Sequence, residues 1–114
     1  MVATTTRDAL KAKLQAGEPV ILVEALPEKY FRHAHLPGAV NLPHDQVDTL
    51  APGLLPDKDA ETVTYCASAT CKNSDIAARR LVELGYTRVS AYLEGKKDWI
   101  EAGLPVEREE EAAA

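Results

Sequence analysis

The chain lacks several features, and each absence closes off a class of protein. It has no long apolar run: the longest, Val20-Ile21-Leu22-Val23, falls far short of the about 20 residues that a membrane-crossing helix needs. Its opening, MVATTTRDAL, has no basic segment leading into an apolar stretch, so no secretory leader is expected and a cytoplasmic location is. Basic residues are outnumbered, 13 Lys and Arg against 18 Asp and Glu for a net charge of −5. Nonspecific nucleic-acid binding would call for the opposite balance. Cysteine is scarce, with only Cys66 and Cys71, too few for a disulfide scaffold. Two thiols alone do not complete a zinc site, and His33, His35 and His44 lie well upstream without paired-ligand spacing. Neither a metal nor a cofactor is expected. No internal repeat or linker interrupts the chain.

What remains suits one globular domain. At 114 residues and 46% hydrophobic content, a chain buries roughly two-thirds of its unfolded surface and completes a core without staples. Much of the negative excess is terminal, at Glu107, Glu109, Glu110 and Glu111. The expected organisation is a single domain over residues 1–107 followed by a disordered acidic and alanine-rich tail, 108–114. A local pocket can still differ in sign from the whole chain.

The pattern alternates strand and helix. Thr5 or Thr6 can cap a helix with Leu10 and Leu14 on its inner face and Gly17 at its end. Val20 to Val23, apolar on both faces, reads as a strand of a covered parallel sheet. Pro27 to Arg32 suits a short helix, Ala39 to Leu42 a second strand, and Asp45 to Leu50 another short helix. Thr62 to Cys66 is a third strand by its β-branched and aromatic content. Ser74 is a candidate N-cap for a helix over Asp75 to Leu84 with Ile76, Ala77, Leu81 and Leu84 on its apolar face. Arg88 to Tyr92 and Gly95 to Ala102 supply a fourth strand and a last helix. The expected class is α/β, with a mainly parallel sheet of four to five strands and helices on both faces.

Cys66 stands at a strand end before a helix, where the loop amides of a parallel sheet point into a ligand-binding crevice. Loop amides, the positive end of the following helix and the Lys72 ammonium would all favour an anion, so a lowered thiolate pKa and a nucleophilic sulfur are expected. Asp75 in the first helical turn opposes this, and the loop holds no glycine. The alternative is an inert, buried small residue.

The stretch Leu22 to Pro43, with His35-Leu36-Pro37-Gly38-Ala39-Val40-Asn41-Leu42-Pro43 at its end, resembles the first signature of the rhodanese (thiosulfate sulfurtransferase-like) domain. Tyr65-Cys66, Ser74, Ala77-Ala78 and Leu84-Gly85-Tyr86 resemble that family's active-site strand, loop and helix. Glu94-Gly95, Trp99 and Ala102-Gly103-Leu104-Pro105-Val106 resemble its closing elements, so the likeness covers roughly residues 5 to 107. The resemblance implies a rhodanese-like fold and ping-pong sulfur transfer through a persulfide on Cys66. It also implies a small anionic donor such as thiosulfate or a persulfide, and cyanide or a thiol as acceptor. A sulfur-relay protein is a partner it allows; nucleic acid and membrane are not. Ala67, Ser68, Ala69, Thr70, Cys71, Lys72 and Asn73 match the substrate-binding loop.

The chain departs from the family in three places. Where the family commonly has Asp-x-Arg after its first strand, Glu24-Ala25-Leu26 leaves the charged pair incomplete. Ser74 lies two positions farther from the cysteine than in the common Cys-Arg-Ser-Gly-x-Arg-Ser loop, so a wider or bulged pocket is expected. Lys72 is the loop's only cation, and an ammonium grips an oxyanion less specifically than a guanidinium. Thiosulfate would then be a poor donor. Cys71 admits three readings: a disulfide partner of Cys66, a second sulfur acceptor, or a small loop side chain without chemistry. Two other functions compete, a cysteine-dependent phosphatase or arsenate reductase and a noncatalytic binding or sensor module. The first wants an arginine clamp that this loop lacks. His35 reads as a backbone-bonded turn residue, His33 and His44 as solvent-exposed, and Trp99 as core or pocket rim.

Overall fold

A computed structural model describes residues 2–108. Among these, five strands alternate with five helices: β1 (Ala3–Thr5), α1 (Arg7–Gln15), β2 (Val20–Glu24), α2 (Glu28–His33), β3 (Val40–Asn41), α3 (Val47–Leu54), β4 (Glu61–Tyr65), α4 (Asn73–Glu83), β5 (Val89–Tyr92) and α5 (Gly95–Glu101). The strands form one sheet in the order β1-β5-β4-β2-β3, with every neighbouring pair parallel. The expected α/β class, with a parallel sheet of five strands and helices on both faces, is what the chain adopts.

The side-chain alternation of β2 shows why the sheet is covered twice. Leu22 joins Leu10, Leu36, Val63, Tyr65, Tyr92 and Trp99 in one buried cluster, while Val23 joins Leu42, Val47, Ala51, Ala77, Ala78, Leu81 and Ala91 in another. Successive strand residues point to opposite faces, so α1 and α5 cover one face and α3 and α4 the other. Truncating Leu10 or Leu81, each fully buried, would cost about 2–5 kcal/mol.

Several boundaries differ from the expected ones. β1 lies where the sequence predicts only the approach to a helix, because Ala3-Thr4-Thr5 has no apolar alternation; it is a short edge strand on β5. Thr6 is the N-cap of α1, its side chain accepting from the Ala9 amide at 3.2 Å. α3 starts later than expected and continues through Pro52. The Tyr86 hydroxyl donates to the Leu55 carbonyl at 2.5 Å just past its end, meeting one of the acceptors that a helix C-terminus leaves open. α4 begins at Asn73, with Lys72 rather than Ser74 at the N-cap position. The shift leaves Ile76 45% exposed while Ser74 turns fully inward.

Near the C-terminus the chain folds back on the domain. Glu107 exchanges two backbone hydrogen bonds with His35, at 2.9 and 2.8 Å, and the Arg108 guanidinium donates to the His33 carbonyl at 2.9 Å. Of the expected tail, 108–114, only Arg108 is described, and residues 109–114 lie outside the described residues. No helix of the described residues is long and apolar enough to cross a membrane.

Candidate functional site

β2 and β4 are neighbours whose connections diverge: β2 leads through α2 to β3 on one side, and β4 leads through α4 to β5 on the other. A crevice opens outside the C-terminal ends of such a pair, the usual ligand site of a parallel α/β sheet. Cys66 is the first residue past β4 and Glu24 the last of β2. The Ala25 amide donates to the Tyr65 carbonyl at 2.9 Å, holding the two strand ends together.

Beneath the crevice lies a polar network that the sequence did not disclose. Glu24 is fully buried. The Lys96 ammonium donates to its two carboxylate oxygens at 3.2 and 3.1 Å and to the carbonyls of Tyr30 and Ala34 at 3.0 and 2.6 Å. The Tyr65 hydroxyl donates to Glu24 at 2.9 Å and accepts from the Leu36 amide at 3.0 Å. Burial pushes the Glu24 carboxyl up from its ordinary range, and the Lys96 charge and the Tyr65 bond pull against that. The same burial, with the Glu24 charge, raises the Tyr65 phenol, which stays protonated and able to donate. The pair expected to be incomplete at Glu24-Ala25-Leu26 is thus completed from the far end of the chain. Neither Ala25 nor Leu26 supplies the cation; α5 does.

Lys96 also reaches the cysteine through its backbone. Its amide donates to the Cys66 carbonyl at 2.8 Å, and the Lys97 amide donates to the Ala67 carbonyl at 2.8 Å. This close approach depends on Gly95, whose φ of +73° is in the left-handed region. A Cβ at that position would sit 2.6 Å from the Cys66 carbonyl oxygen and 3.0 Å from the Ser68 nitrogen. Glycine is required there for both conformation and space.

The thiol of Cys66 is fully buried. It donates to the Cys71 carbonyl at 3.3 Å, with the Ser68 carbonyl at 4.0 Å. The expected ring of amides is therefore replaced, in this resting geometry, largely by carbonyls. Amides converge on one point where right- and left-handed residues alternate, and no non-glycine residue has a positive φ among the described residues. The loop, having no glycine, turns oxygens inward instead. Burial first, and then the Cys71 side chain, push the Cys66 thiol up from its ordinary value. This corrects the expectation of a lowered pKa. The Ser74 amide and hydroxyl act the other way and favour the thiolate. That hydroxyl is fully buried and has no partner meeting ordinary hydrogen-bond geometry, so it is available to an anion on the sulfur.

The expected loop residues divide accordingly. Ser68, Cys71 and Cys66 come together, the Cys71 amide donating to the Ser68 carbonyl at 3.0 Å and the Ser68 and Thr70 hydroxyls sharing a 3.0 Å bond. Ala67, Ala69, Thr70 and Lys72 are exposed, Asn73 is half-buried as the first residue of α4, and Cys71 is a free, half-buried thiol. The Lys72 ammonium makes no ion pair among the described residues. His35 donates from Nδ1 to the Phe31 carbonyl at 2.8 Å and stacks on the Phe31 ring at 3.8 Å, the backbone-bonded role expected of it. His44 is half-buried rather than exposed. Trp99 is core, its indole donating to the Pro105 carbonyl at 2.7 Å. Ser74, Gly95 and Lys96 join the site by structure. The sequence marks Ser74 only as a cap, and a lysine after glycine in a short amphipathic helix gives no sign of burial.

Comparison with known proteins agrees with this architecture. The family model of the rhodanese-like domain matches residues 6–102. An HTH-type transcriptional regulator of Mycobacterium tuberculosis is 34% identical over 102 residues, covering 90% of this chain and 43% of that protein. An adenylyltransferase and sulfurtransferase of Candida albicans is 32% identical over 85 residues, covering 69% of this chain and 19% of that protein. The chain spans less than half the length of the curated relatives it matches. The crystal structure of a thiosulfate sulfurtransferase from Pseudomonas aeruginosa superposes with a TM-score of 0.83 at 21% identity, over 96% of this chain and 21% of that one; at that identity the likeness establishes the fold.

Proposed function

Because the chain belongs to the rhodanese-like domain family, we propose that it is a sulfurtransferase that carries sulfane sulfur on Cys66. The observation that carries this reading is a free thiol at the C-terminal end of the central strand, facing the unsatisfied hydroxyl of Ser74. A thiolate formed there attacks the outer sulfur of a donor such as thiosulfate. The donor S–S bond breaks, sulfite leaves with the electron pair, and Cys66 holds a persulfide. An acceptor thiolate or cyanide then takes the outer sulfur and returns the Cys66 thiolate. Ser74 stabilises the anion in both half-reactions, a charge-assisted bond contributing about 1.5–3 kcal/mol. Ala67, Ser68, Ala69, Thr70, Cys71, Lys72 and Asn73 bound the donor, and the exposed Lys72 ammonium draws anions to the mouth. The raised thiol pKa, together with the absence of arginine from this loop, favours a persulfide donor over thiosulfate. A sulfur-relay protein is then the natural partner, and two free thiols suit the reducing cytoplasm.

The likeness to a transcriptional regulator supports a second reading, in which the Cys66 persulfide is a signal rather than an intermediate. Both begin with the same adduct. The test is intact mass after incubation with thiosulfate or an inorganic polysulfide, for the wild type and Cys66→Ser, followed by cyanide. A transient gain of one sulfur by the wild type alone, and its repeated transfer to cyanide added before it is lost, are expected. A stable adduct without turnover favours the sensor reading. No adduct from either donor, together with hydrolysis of a phosphate ester, overturns both.

A further inference from the structure

Cys71 has no task in that scheme beyond lining the loop, yet the fold sets it against the nucleophile. The turn closed by the 3.0 Å bond from the Cys71 amide to the Ser68 carbonyl brings it back over Cys66. The Cys66 sulfur lies 3.3 Å from the Cys71 carbonyl oxygen, and the Cys71 side chain is near enough to help push the Cys66 thiol up. Cys66 is fully buried while Cys71 is half-exposed, so the pair has an inner and an outer member. Both are free thiols.

We propose that Cys71 is a second catalytic cysteine that resolves the Cys66 persulfide internally, releasing hydrosulfide and leaving a Cys66–Cys71 disulfide. The inference rests on the sulfurtransferase reading for its persulfide. The atom that the Cys71 backbone touches is Cys66 Sγ itself, which becomes the inner sulfur once an outer one is added and is the sulfur nearest the returning turn. Attack by the Cys71 thiolate on that inner sulfur forms the Cys71–Cys66 bond as the bond to the outer sulfur breaks. The outer sulfur leaves with the electron pair as hydrosulfide, taking up the proton that Cys71 gave up. The sulfane sulfur is reduced by two electrons and the two cysteines are oxidised by one each, so no outside oxidant is needed. A low-molecular-weight thiol or a dithiol protein then reduces the disulfide and resets the site. The closed ring is small, so little loop-closure entropy opposes it, and the backbone of Cys71 already lies against the Cys66 sulfur. The assignment adds sulfide release to sulfur transfer as an outcome of this loop.

The experiment treats the reduced chain, freed of small-molecule thiols, with one equivalent of inorganic polysulfide and follows intact mass without reductant, while a bimane reagent captures sulfide. Wild type, Cys71→Ser, Cys71→Ala and Cys66→Ser are compared, with circular dichroism to verify folding. The expected wild-type product has lost two hydrogens, gained no sulfur and released about one equivalent of sulfide beyond what the donor leaves on loading, while both Cys71 variants retain one added sulfur and release only the donor's leaving group. A wild type that keeps its added sulfur as both Cys71 variants do overturns the resolving role and leaves the sulfurtransferase reading standing. Added sulfur found on Cys71 by peptide mapping overturns the resolving role as well. A folded wild type and folded Cys71 variants that all take up no sulfur and form no disulfide overturn the sulfurtransferase reading and this inference with it.

Discussion

Replacing Gly95 by alanine isolates the contact on which the shape of the cysteine loop depends. Two costs combine at this position. A side chain at φ +73° bears a left-handed penalty of about 1–2 kcal/mol. The new Cβ, 2.6 Å from the Cys66 carbonyl oxygen, forces backbone apart at the usual cost of overpacking, about 1–3 kcal/mol. Gly103 supplies the control: its φ is +77° but nothing lies within 4 Å of its Cβ position, so Gly103→Ala bears the first cost alone. The gain from a stiffer unfolded chain is common to both and cancels. Gly95→Ala is therefore expected to be about 1–3 kcal/mol less stable than Gly103→Ala, or about 4–12 °C lower in Tm for a domain of this size. Relieving the clash moves the Cys66 carbonyl from the Lys96 amide, so the sulfur shifts against Ser74 and persulfide formation falls as well. Urea unfolding and polysulfide uptake of both variants give the answer. Equal stability in the two, with uptake intact in Gly95→Ala, would refute the reasoning.

Cys66 alkylation by iodoacetamide, measured in Cys71→Ser, should be slow near neutrality and still rising at the ordinary cysteine pKa of about 8.5, because burial holds the thiol in its neutral form; a plateau reached below that pH contradicts the assignment. The sign for stability follows from the same direction: the folded state keeps a proton that the unfolded state gives up, so the contribution is present below the unfolded pKa and is lost as pH rises through the folded one. Ser74→Ala should leave folding nearly unchanged, since its hydroxyl has no other partner, while slowing persulfide formation roughly ten- to hundredfold; unchanged uptake kinetics would remove Ser74 from the mechanism. Lys96→Met strands the buried Glu24 carboxylate at a cost of about 3–5 kcal/mol near neutral pH. Because the folded state then favours the protonated acid, this variant should gain stability on acidification relative to the wild type, and a flat difference across pH in urea melts would exclude that cause. Tyr65→Phe orphans the Leu36 amide and takes one of two donors from Glu24 Oε1, which keeps Lys96, for an expected loss of about 1–3 kcal/mol, read by the same melts.

The parts of this molecule legible in its sequence are those written in local pattern. β2 and β4 announce themselves by apolar and β-branched runs, and Cys66 is placed at a strand end by nothing more than the residues before it. Local pattern misses β1, because Ala3-Thr4-Thr5 carries no alternation and is a strand only through pairing with β5. It misplaces the start of α4 by treating Ser74 as a cap, when the side chain is needed inward beside the sulfur. It leaves Glu24 without a partner because Lys96 lies 72 positions away on a helix whose lysines read as solvated. Such pairs are settled by topology, and local propensity carries no information about them.

The reversed direction of the Cys66 pKa has the same origin and the larger consequence. Charges and a helix start can be counted along a sequence, but whether a loop turns its amides or its carbonyls toward a sulfur depends on backbone handedness. With no glycine in the loop and no positive φ outside glycine among the described residues, the carbonyls of Cys71 and Ser68 face the thiol. A resting thiol of this kind is protected from stray electrophiles and oxidants, since the thiolate is the reactive form. The proposed sulfur transfer would have the Ser68 to Cys71 turn move aside, exchanging the carbonyl contacts for the Ser74 hydroxyl and amide. The residue displaced in that motion is Cys71, the thiol that would return over the persulfide when the turn closes. On the proposed chemistry, access to the nucleophile and resolution of its product would be two positions of one short segment, held between the Lys96-bound carbonyl of Cys66 and the first turn of α4.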